Sequence, residues 1–311
     1  MKFLLIDFGA SRIKVVVYDK TTNTFSDSHH FPSPFIQSST ITITELSSLL
    51  QDVVLAYRDV DGIVICTILG GTWIKDTYHS WKSPLNKSKG SHCLISKLFD
   101  SDVHEDHKPF TDSKTYLSGL TQIGYIHNIP VYNSLGDTNC ALRSVEIPDN
   151  GVVINMGTGS QVASESGIER YYPAGRSFLV FQQLFTSMGL NLFDLLDQVT
   201  VNDVVSSTMH VDLANFPQAR GYTDGGSISQ ISEGNFTVSN LLGSLLKMFV
   251  TQYKDAIGIA DTIILIGGVA NKIKILPQLF EYYYPNKRIV LQNSEIEATH
   301  LGMARYITQN I

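Results

Sequence analysis

Four short stretches hold residues suited to handling phosphate. Asp7-Phe8-Gly9-Ala10-Ser11 and Asn155-Met156-Gly157-Thr158-Gly159-Ser160 each place glycine and a hydroxyl directly after an apolar run. Glycine lets a backbone approach closely, and successive N–H groups form a concavity that takes anions. Each stretch could therefore hold phosphate oxygens, although a plain tight turn uses the same residues. Asp7 closes the first apolar run and could hold hydrated Mg2+, a cation that favours carboxylate oxygen and keeps several waters. Gly267-Gly268-Val269-Ala270-Asn271-Lys272 follows the apolar run 263–266. At the carboxyl end of a buried strand a Gly–Gly step admits a flat base or ribose, and an ordinary strand-to-helix turn has the same composition. The fourth stretch is Gly136-Asp137, opening the small-residue run Thr138–Leu142. A carboxylate there either caps a helix or, kept ionised by the helix N-terminus, acts as general base toward an attacking hydroxyl.

These stretches need strands and helices to hold them. Phe3–Asp19 is β-branched and apolar on both sides of Gly9–Ser11, which predicts two strands in a tight hairpin, with a third strand at Thr24–Phe31. Leu46, Leu49, Leu50, Val53, Val54 and Tyr57 have the spacing of an amphipathic helix over Thr44–Tyr57. Gly62–Thr67 reads as a buried strand, so the region has α/β grammar. Residues 72–109 are polar and aperiodic, the character of a loop that carries substrate contacts. The pattern predicts helices at Tyr116–His127 and Asp137–Val145 and a strand at Ile129–Asn133. The opening motif then returns: Ile154-Asn155-Met156-Gly157 repeats Ile6-Asp7-Phe8-Gly9 at an offset of 148 residues, the mark of an internally repeated architecture. Further helices are expected at Val180–Leu196, Val238–Ile259 and Lys274–Tyr283, with strands at Asp261–Gly267 and Arg288–Leu291. Pro148-Asp149-Asn150-Gly151 is turn chemistry, and divides the chain into 1–147 and 148–311.

Composition removes several classes of function. Of 311 residues 43% are hydrophobic and 17% charged, with a formal net charge of −6, the profile of a folded globular chain. The acidic balance disfavours a nucleic-acid partner. No apolar run approaches the ~20 residues of a membrane span, and Asp7 interrupts Phe3–Ile6 too early for a signal peptide. Three widely spaced cysteines (Cys66, Cys93, Cys140) make neither a disulfide framework nor a zinc site, so a reducing, cytoplasmic setting is expected. Asp102–His107 and His29-His30 read as solvated segments rather than metal sites. The P-loop, nucleophile-elbow and complete G-x-G-x-x-G patterns are absent.

Taken in order, the four stretches resemble those of the sugar kinase/Hsp70/actin superfamily and, within it, the FGGY carbohydrate kinases. The likeness covers residues 3–19, 130–163 and 262–304. Asp7-x-Gly9-x-Ser11-x-x-Lys14 is similar to the family's first phosphate motif, with Ala10 in place of threonine, and Asn155-x-Gly157-Thr158-Gly159-Ser160 to the second. Gly267-Gly268-x-Ala270-Asn271-Lys272 is similar to the adenosine motif, and Gly136-Asp137 to the segment with the catalytic aspartate. Gly136-Asp137-x-x-Cys140 and Arg170…Pro173…Leu179 resemble the sedoheptulokinase-like branch. The chain is short for the family. Thr67–Trp73 stands where a sugar-contacting motif is expected, and Trp81-Lys-Ser83 where Trp-x-Asp is expected.

The resemblance implies an α/β fold of two ribonuclease-H-like (actin-like ATPase) lobes with a central nucleotide cleft. It implies ATP and Mg2+ as cofactors, with Asp137 as base, Asp7 at the metal, and Gly9, Ser11, Lys14, Gly157, Thr158 and Gly159 at the phosphates. Gly267, Gly268 and Asn271 would face adenosine. The substrate would be a sugar or polyol, for which Trp73, His79 and Trp81 are candidates, since an aromatic face can stack on a sugar ring and equally packs in a core. A homodimer is left open. Two alternatives stand beside this reading: an ATPase switch acting on a partner protein, and a nucleotide-binding pseudokinase.

Overall fold

The structure, a computed structural model, describes residues 1–9, 11–67, 71–80, 82–85, 94–99, 121–133, 136–157, 159–164, 167–212 and 226–310. They divide into two compact units. The first begins with a meander, β1 (Lys2–Phe8), β2 (Arg12–Asp19) and β3 (Thr24–Pro32). After β4 (Thr40–Thr42) comes helix α1 (Ile43–Leu55), started by a capping box in which Thr42 and Glu45 exchange side-chain and backbone hydrogen bonds. It buries Leu46, Leu50, Val53 and Val54. Then follow β5 (Gly62–Thr67), β6 (Thr72–Ile74), β7 (Thr77–His79), β8 (Thr121–Ile126), β9 (Ile129–Asn133) and the short helix α2 (Asp137–Leu142). The main sheet has the order β3-β2-β1-β5-β9-β8, and β4-β7-β6 form a small separate sheet.

The second unit repeats the plan. Its strands β10 (Gly151–Met156), β11 (Gly159–Ser164) and β12 (Gly167–Pro173) form another meander. Helices α3 (Gly175–Ser187), α4 (Leu192–Leu196) and α5 (Val201–Ser206) follow, then β13 (His210–Val211), β14 (Ile228–Ser229), α6 (Val238–Thr251) and α7 (Lys254–Ile257). It closes with β15 (Thr262–Ile266), α8 (Gly268–Lys272), α9 (Leu276–Tyr283) and β16 (Arg288–Leu291). The sheet order is β12-β11-β10-β15-β16. In both units the first strand pairs antiparallel with its hairpin partner on one side and parallel with the next crossover strand on the other. The repeat seen between Ile6 and Ile154 is thus a repeat of topology.

The chain's last helix, α10 (Ala298–Asn310), belongs to the first unit, which also takes the segment from Ile296 onward and ends its main part at Val145. This differs from a simple division into 1–147 and 148–311, and β1 shows why. One of its faces, Leu4, Ile6 and Phe8, packs with α1 residues. The other, Phe3 and Leu5, needs its own cover, and Met303, Ala304 and Ile307 of α10 supply it together with Cys140 of α2. Tyr18 and Thr308 hydroxyls meet at 3.0 Å on the same face.

Three expected helices are differently built. The run assigned to Tyr116–His127 is, over its described part, strand β8, joined to β9 through His127 and Asn128 at φ +49° and +65°. Positive φ at both central residues is the type I′ hairpin condition. Val180–Leu196 is two helices, because Gly189 at φ +73° ends the first; Leu190 N–H bonds Phe185 O across it at 2.9 Å, a Schellman closure. Val238–Ile259 breaks between α6 and α7, and Gly258 at φ +48° stops the latter. Among the described residues no helix is long and apolar enough to cross a membrane.

Candidate active site

The first unit gathers its ionisable groups at the end of β1. Asp7 is 4% exposed and lies opposite Lys14 of β2 and beside Cys66 of β5 in the sheet register. Lys14 Nζ stands 3.6 Å from Asp7 Oδ2 and 3.1 Å from Oε2 of Glu297, which precedes α10. The Cys66 thiol donates to Asp7 Oδ1 at 3.7 Å. Burial, with Cys140 and Asp7 nearby, pushes that thiol well above its ordinary pKa, so it stays a donor. Burial works against the Lys14 ammonium, but Asp7 and Glu297 outweigh it and hold its pKa above the usual lysine value. The turn after Asp7 is drawn in by Gly9, whose N–H bonds Arg12 O at 3.0 Å; a Cβ on Gly9 would stand 2.8 Å from that oxygen. Ser11 is exposed on this turn, and its carbonyl accepts from Ser33 N–H at 3.2 Å.

Asp137 is the first residue of α2; Gly136 is the N-cap and offers no side chain. The carboxylate is thus not used as the cap, and instead accepts Thr138 N–H at 2.7 Å and Thr138 Oγ1–H at 3.3 Å through Oδ1. The side chain touches solvent but lies deep among protein atoms. Burial, reinforced by the Asp7 charge, pushes its pKa up to about 6, against the pull of Thr138 and Lys14. Two carboxylates in unlike surroundings, one paired with lysine and one held near neutrality, make an acid–base pair in which the second can take a proton. α10 braces this helix directly: a Cβ on Gly302 would fall 1.7 Å from Cys140 O, so only glycine permits the crossing.

The second unit builds the same hairpin with neutral groups. Asn155 occupies the position of Asp7, and its Nδ2 donates to Gln161 Oε1 at 3.0 Å across the strand pair. Gly157 N–H bonds Gly159 O at 2.9 Å, and Gly157 O accepts from Gly175 N–H at 2.9 Å. Thr158 lies outside the described residues. Ser160 turns into the core to meet Tyr253 Oη at 2.7 Å, so its hydroxyl is not presented at the turn. Gly267 is required twice over: its φ is +93°, and a Cβ would stand 2.7 Å from Met156 O and 2.8 Å from Asn155 Oδ1. At exposed Gly268 a Cβ would meet nothing within 4 Å. Asn271 Nδ2 bonds back to Gly267 O at 3.3 Å.

Of the acceptor-side candidates, Trp73 and His79 are on the small β4-β7-β6 sheet of the first unit, and Trp81 lies outside the described residues. The Trp73 ring stands edge-on to Tyr78 at 5.4 Å, with Lys97 Nζ 5.8 Å from its centroid. His79 is buried and its Nδ1 is 2.9 Å from Ser83 Oγ. Both rings are engaged in packing and hydrogen bonding. Sequence reasoning missed Glu297 and His300, the latter buried with Nε2 at 3.3 Å from Lys14 O. Nothing in the local sequence around them marks a site; Gly302 alone hints at a helix packed at close quarters.

No family model matches the sequence, and no curated protein matches it. Solved structures do. A gluconate kinase from Lactobacillus acidophilus is 10% identical, with a TM-score of 0.64 over 99% of this chain and 89% of that one. Plasmodium falciparum glycerol kinase with ADP is 14% identical, at 0.58 over 98% and 88%. The activator of the 2-hydroxyisocaproyl-CoA dehydratase from Clostridium difficile with bound ADPNP is 14% identical, at 0.50 over 99% and 95%. At such identities the likeness is one of fold: this chain has the actin-like ATPase fold that its sequence motifs resemble.

Proposed function

We propose that this protein is an ATP-dependent phosphotransferase that moves the γ-phosphoryl group of ATP to a hydroxyl of a monosaccharide or related polyol. The observation that carries the proposal is Asp137, a carboxyl poised near pKa 6 beside the Asp7–Lys14 pair, in a fold shared with gluconate and glycerol kinases. Asp137 accepts the proton of the acceptor hydroxyl while that oxygen attacks the γ-phosphorus in line. The bond from phosphorus to the β–γ bridging oxygen breaks, and ADP leaves with the electron pair. Positioning and charge neutralisation supply most of such a transfer.

Lys14 and Ser11 would contact phosphate oxygens, as would Thr158 and Gly159; Gly9 and Gly157, whose own N–H groups close their hairpins, would let the turns come close. Gly268 leaves open room against which adenosine can lie, with Gly267 and Asn271 shaping the turn. Mg2+ suits the donors present. Among the described residues no group of three or more His, Cys, Asp or Glu encloses a metal, and a cation held by Asp7 alone would keep most of its waters, as Mg2+ does. When bound it would neutralise phosphate charge. We assign Trp73, His79 and Trp81 to the acceptor, on the capacity of an aromatic face to stack on a sugar ring.

The test is ADP release from Mg-ATP with a panel of ketoses, aldoses and polyols. Acceptor-dependent release that falls about 10²–10⁴-fold in Asp137→Asn supports the assignment, that being the usual cost of losing a general base. Near-normal turnover in the variant would remove Asp137 from the mechanism. The dehydratase activator, matched over nearly its whole length, favours one second reading, an ATPase acting on a protein partner. Release of ADP that no acceptor stimulates would support it instead.

A further inference from the structure

Lys14 is held from two directions by one turn of one helix. Glu297 Oε2 lies 3.1 Å from its ammonium, and three residues later His300 Nε2 lies 3.3 Å from its carbonyl oxygen. A carbonyl only accepts, so Nε2 carries the proton. Burial keeps the His300 ring below its ordinary pKa, which preserves this neutral donor. Glu297 precedes the first residue of α10, and its own carbonyl accepts from Leu301 N–H at 3.1 Å, so its carboxylate sits where the helix dipole favours an anion. Burial alone would raise its pKa, yet the charge and hydrogen bond of Lys14 hold it below the usual glutamate value.

Asp7 is the more distant partner, at 3.6 Å. A lysine side chain is flexible and carries three donors. With no second anion it would settle onto the nearest buried carboxylate, Asp7, and cover the oxygens of both. Glu297 shares it with Asp7. Among the described residues its ion-pair partners are Asp7 and Glu297, which leaves one of its three donors for a further anion. We infer that Glu297, braced with His300 at the start of α10, is a positioning residue that shares Lys14 with Asp7 and so keeps its ammonium aimed at a nucleotide phosphate. This rests on the phosphotransferase reading and extends it to a part of the chain remote from the phosphate motifs.

The inference predicts a sign opposite to simple electrostatics. Glu297→Gln removes a negative charge, which by Coulomb attraction alone would tighten binding of a phosphate anion. Calorimetric titration of the full chain with ADP in EDTA, free of divalent cation, reads the difference. Glu297→Gln is expected to bind ADP about tenfold more weakly than wild type, a coupling ordinary for groups in contact. Glu297→Asp should recover part of the loss, and in a Lys14→Met background the Gln substitution should no longer weaken binding. Equal or tighter ADP binding by Glu297→Gln overturns the inference, as does an undiminished loss in the Lys14→Met background. Wild-type protein that binds no nucleotide in EDTA or with Mg2+ restored would overturn the phosphotransferase reading itself.

Discussion

Asp137 is costly to the fold. Its carboxyl titrates near 6 in the folded chain against about 4 in an unfolded one. Between those values the folded state keeps a proton that the unfolded state has released, so wild-type stability declines as pH rises from about 4 to about 6. Above that window the penalty is constant. Asparagine does not titrate, and its side-chain oxygen can still accept both Thr138 hydrogen bonds. Asp137→Asn is therefore expected to be more stable than wild type at pH 8 by about 1–2 kcal/mol after allowance for solvent contact, a Tm gain of about 3–6 °C. The gain should disappear by pH 4, and ligand-free thermal unfolding at both values measures it. The same ionisation sets activity: kcat/KM should fall on the acid side of about pH 6, where the base becomes protonated.

At the scale of elements, two glycines separate packing from ligand contact. Gly302 lets α10 cross α2 against the Cys140 carbonyl, so Gly302→Ala must push the helices apart. A loss of about 1–3 kcal/mol in denaturant unfolding is expected, with activity reduced as Asp137 and Glu297 move together. Gly268 has open space around it and begins a helix, where alanine is tolerated or mildly favourable. Gly268→Ala should keep its Tm within about 2 °C, since such sites stay within about 0.5 kcal/mol, and should weaken nucleotide binding. Unchanged affinity would take the adenosine assignment away from α8. The elements legible in the sequence were those specified locally. Each strand–glycine–strand hairpin announces itself within a dozen residues, and so do the runs ending at Gly62–Thr67 and Ile263–Gly267. The hairpin β8–β9 was misread as helix in its first strand because its turn is His127-Asn128, which lacks the glycine that usually signals positive φ. Asp137 was legible as a carboxylate opening a helix. Its raised pKa was not, since that depends on Asp7, brought close only by the pairing of β1 with β5 and of β5 with β9.

At the scale of the whole molecule, the repeated topology carries unequal chemistry. The same hairpin position holds Asp7–Lys14 in one unit and Asn155–Gln161 in the other. At this position, then, the first unit presents a charged pair and the second a neutral one. Glu297 and His300 escaped sequence reasoning for a related reason. They sit about 290 residues from Asp7 and Lys14, and no local pattern says that the last helix returns to the first sheet.

That return also fixes an order of events during synthesis. β1 leaves the ribosome with Phe3 and Leu5 on one of its faces well before their cover, Met303, Ala304 and Ile307, is made. At about 5–20 residues per second, the intervening 150 residues of the second unit take on the order of ten to thirty seconds. The second unit, whose described residues all fall within Glu146–Glu295, can close in that interval. The first must wait with one face of its sheet still wet.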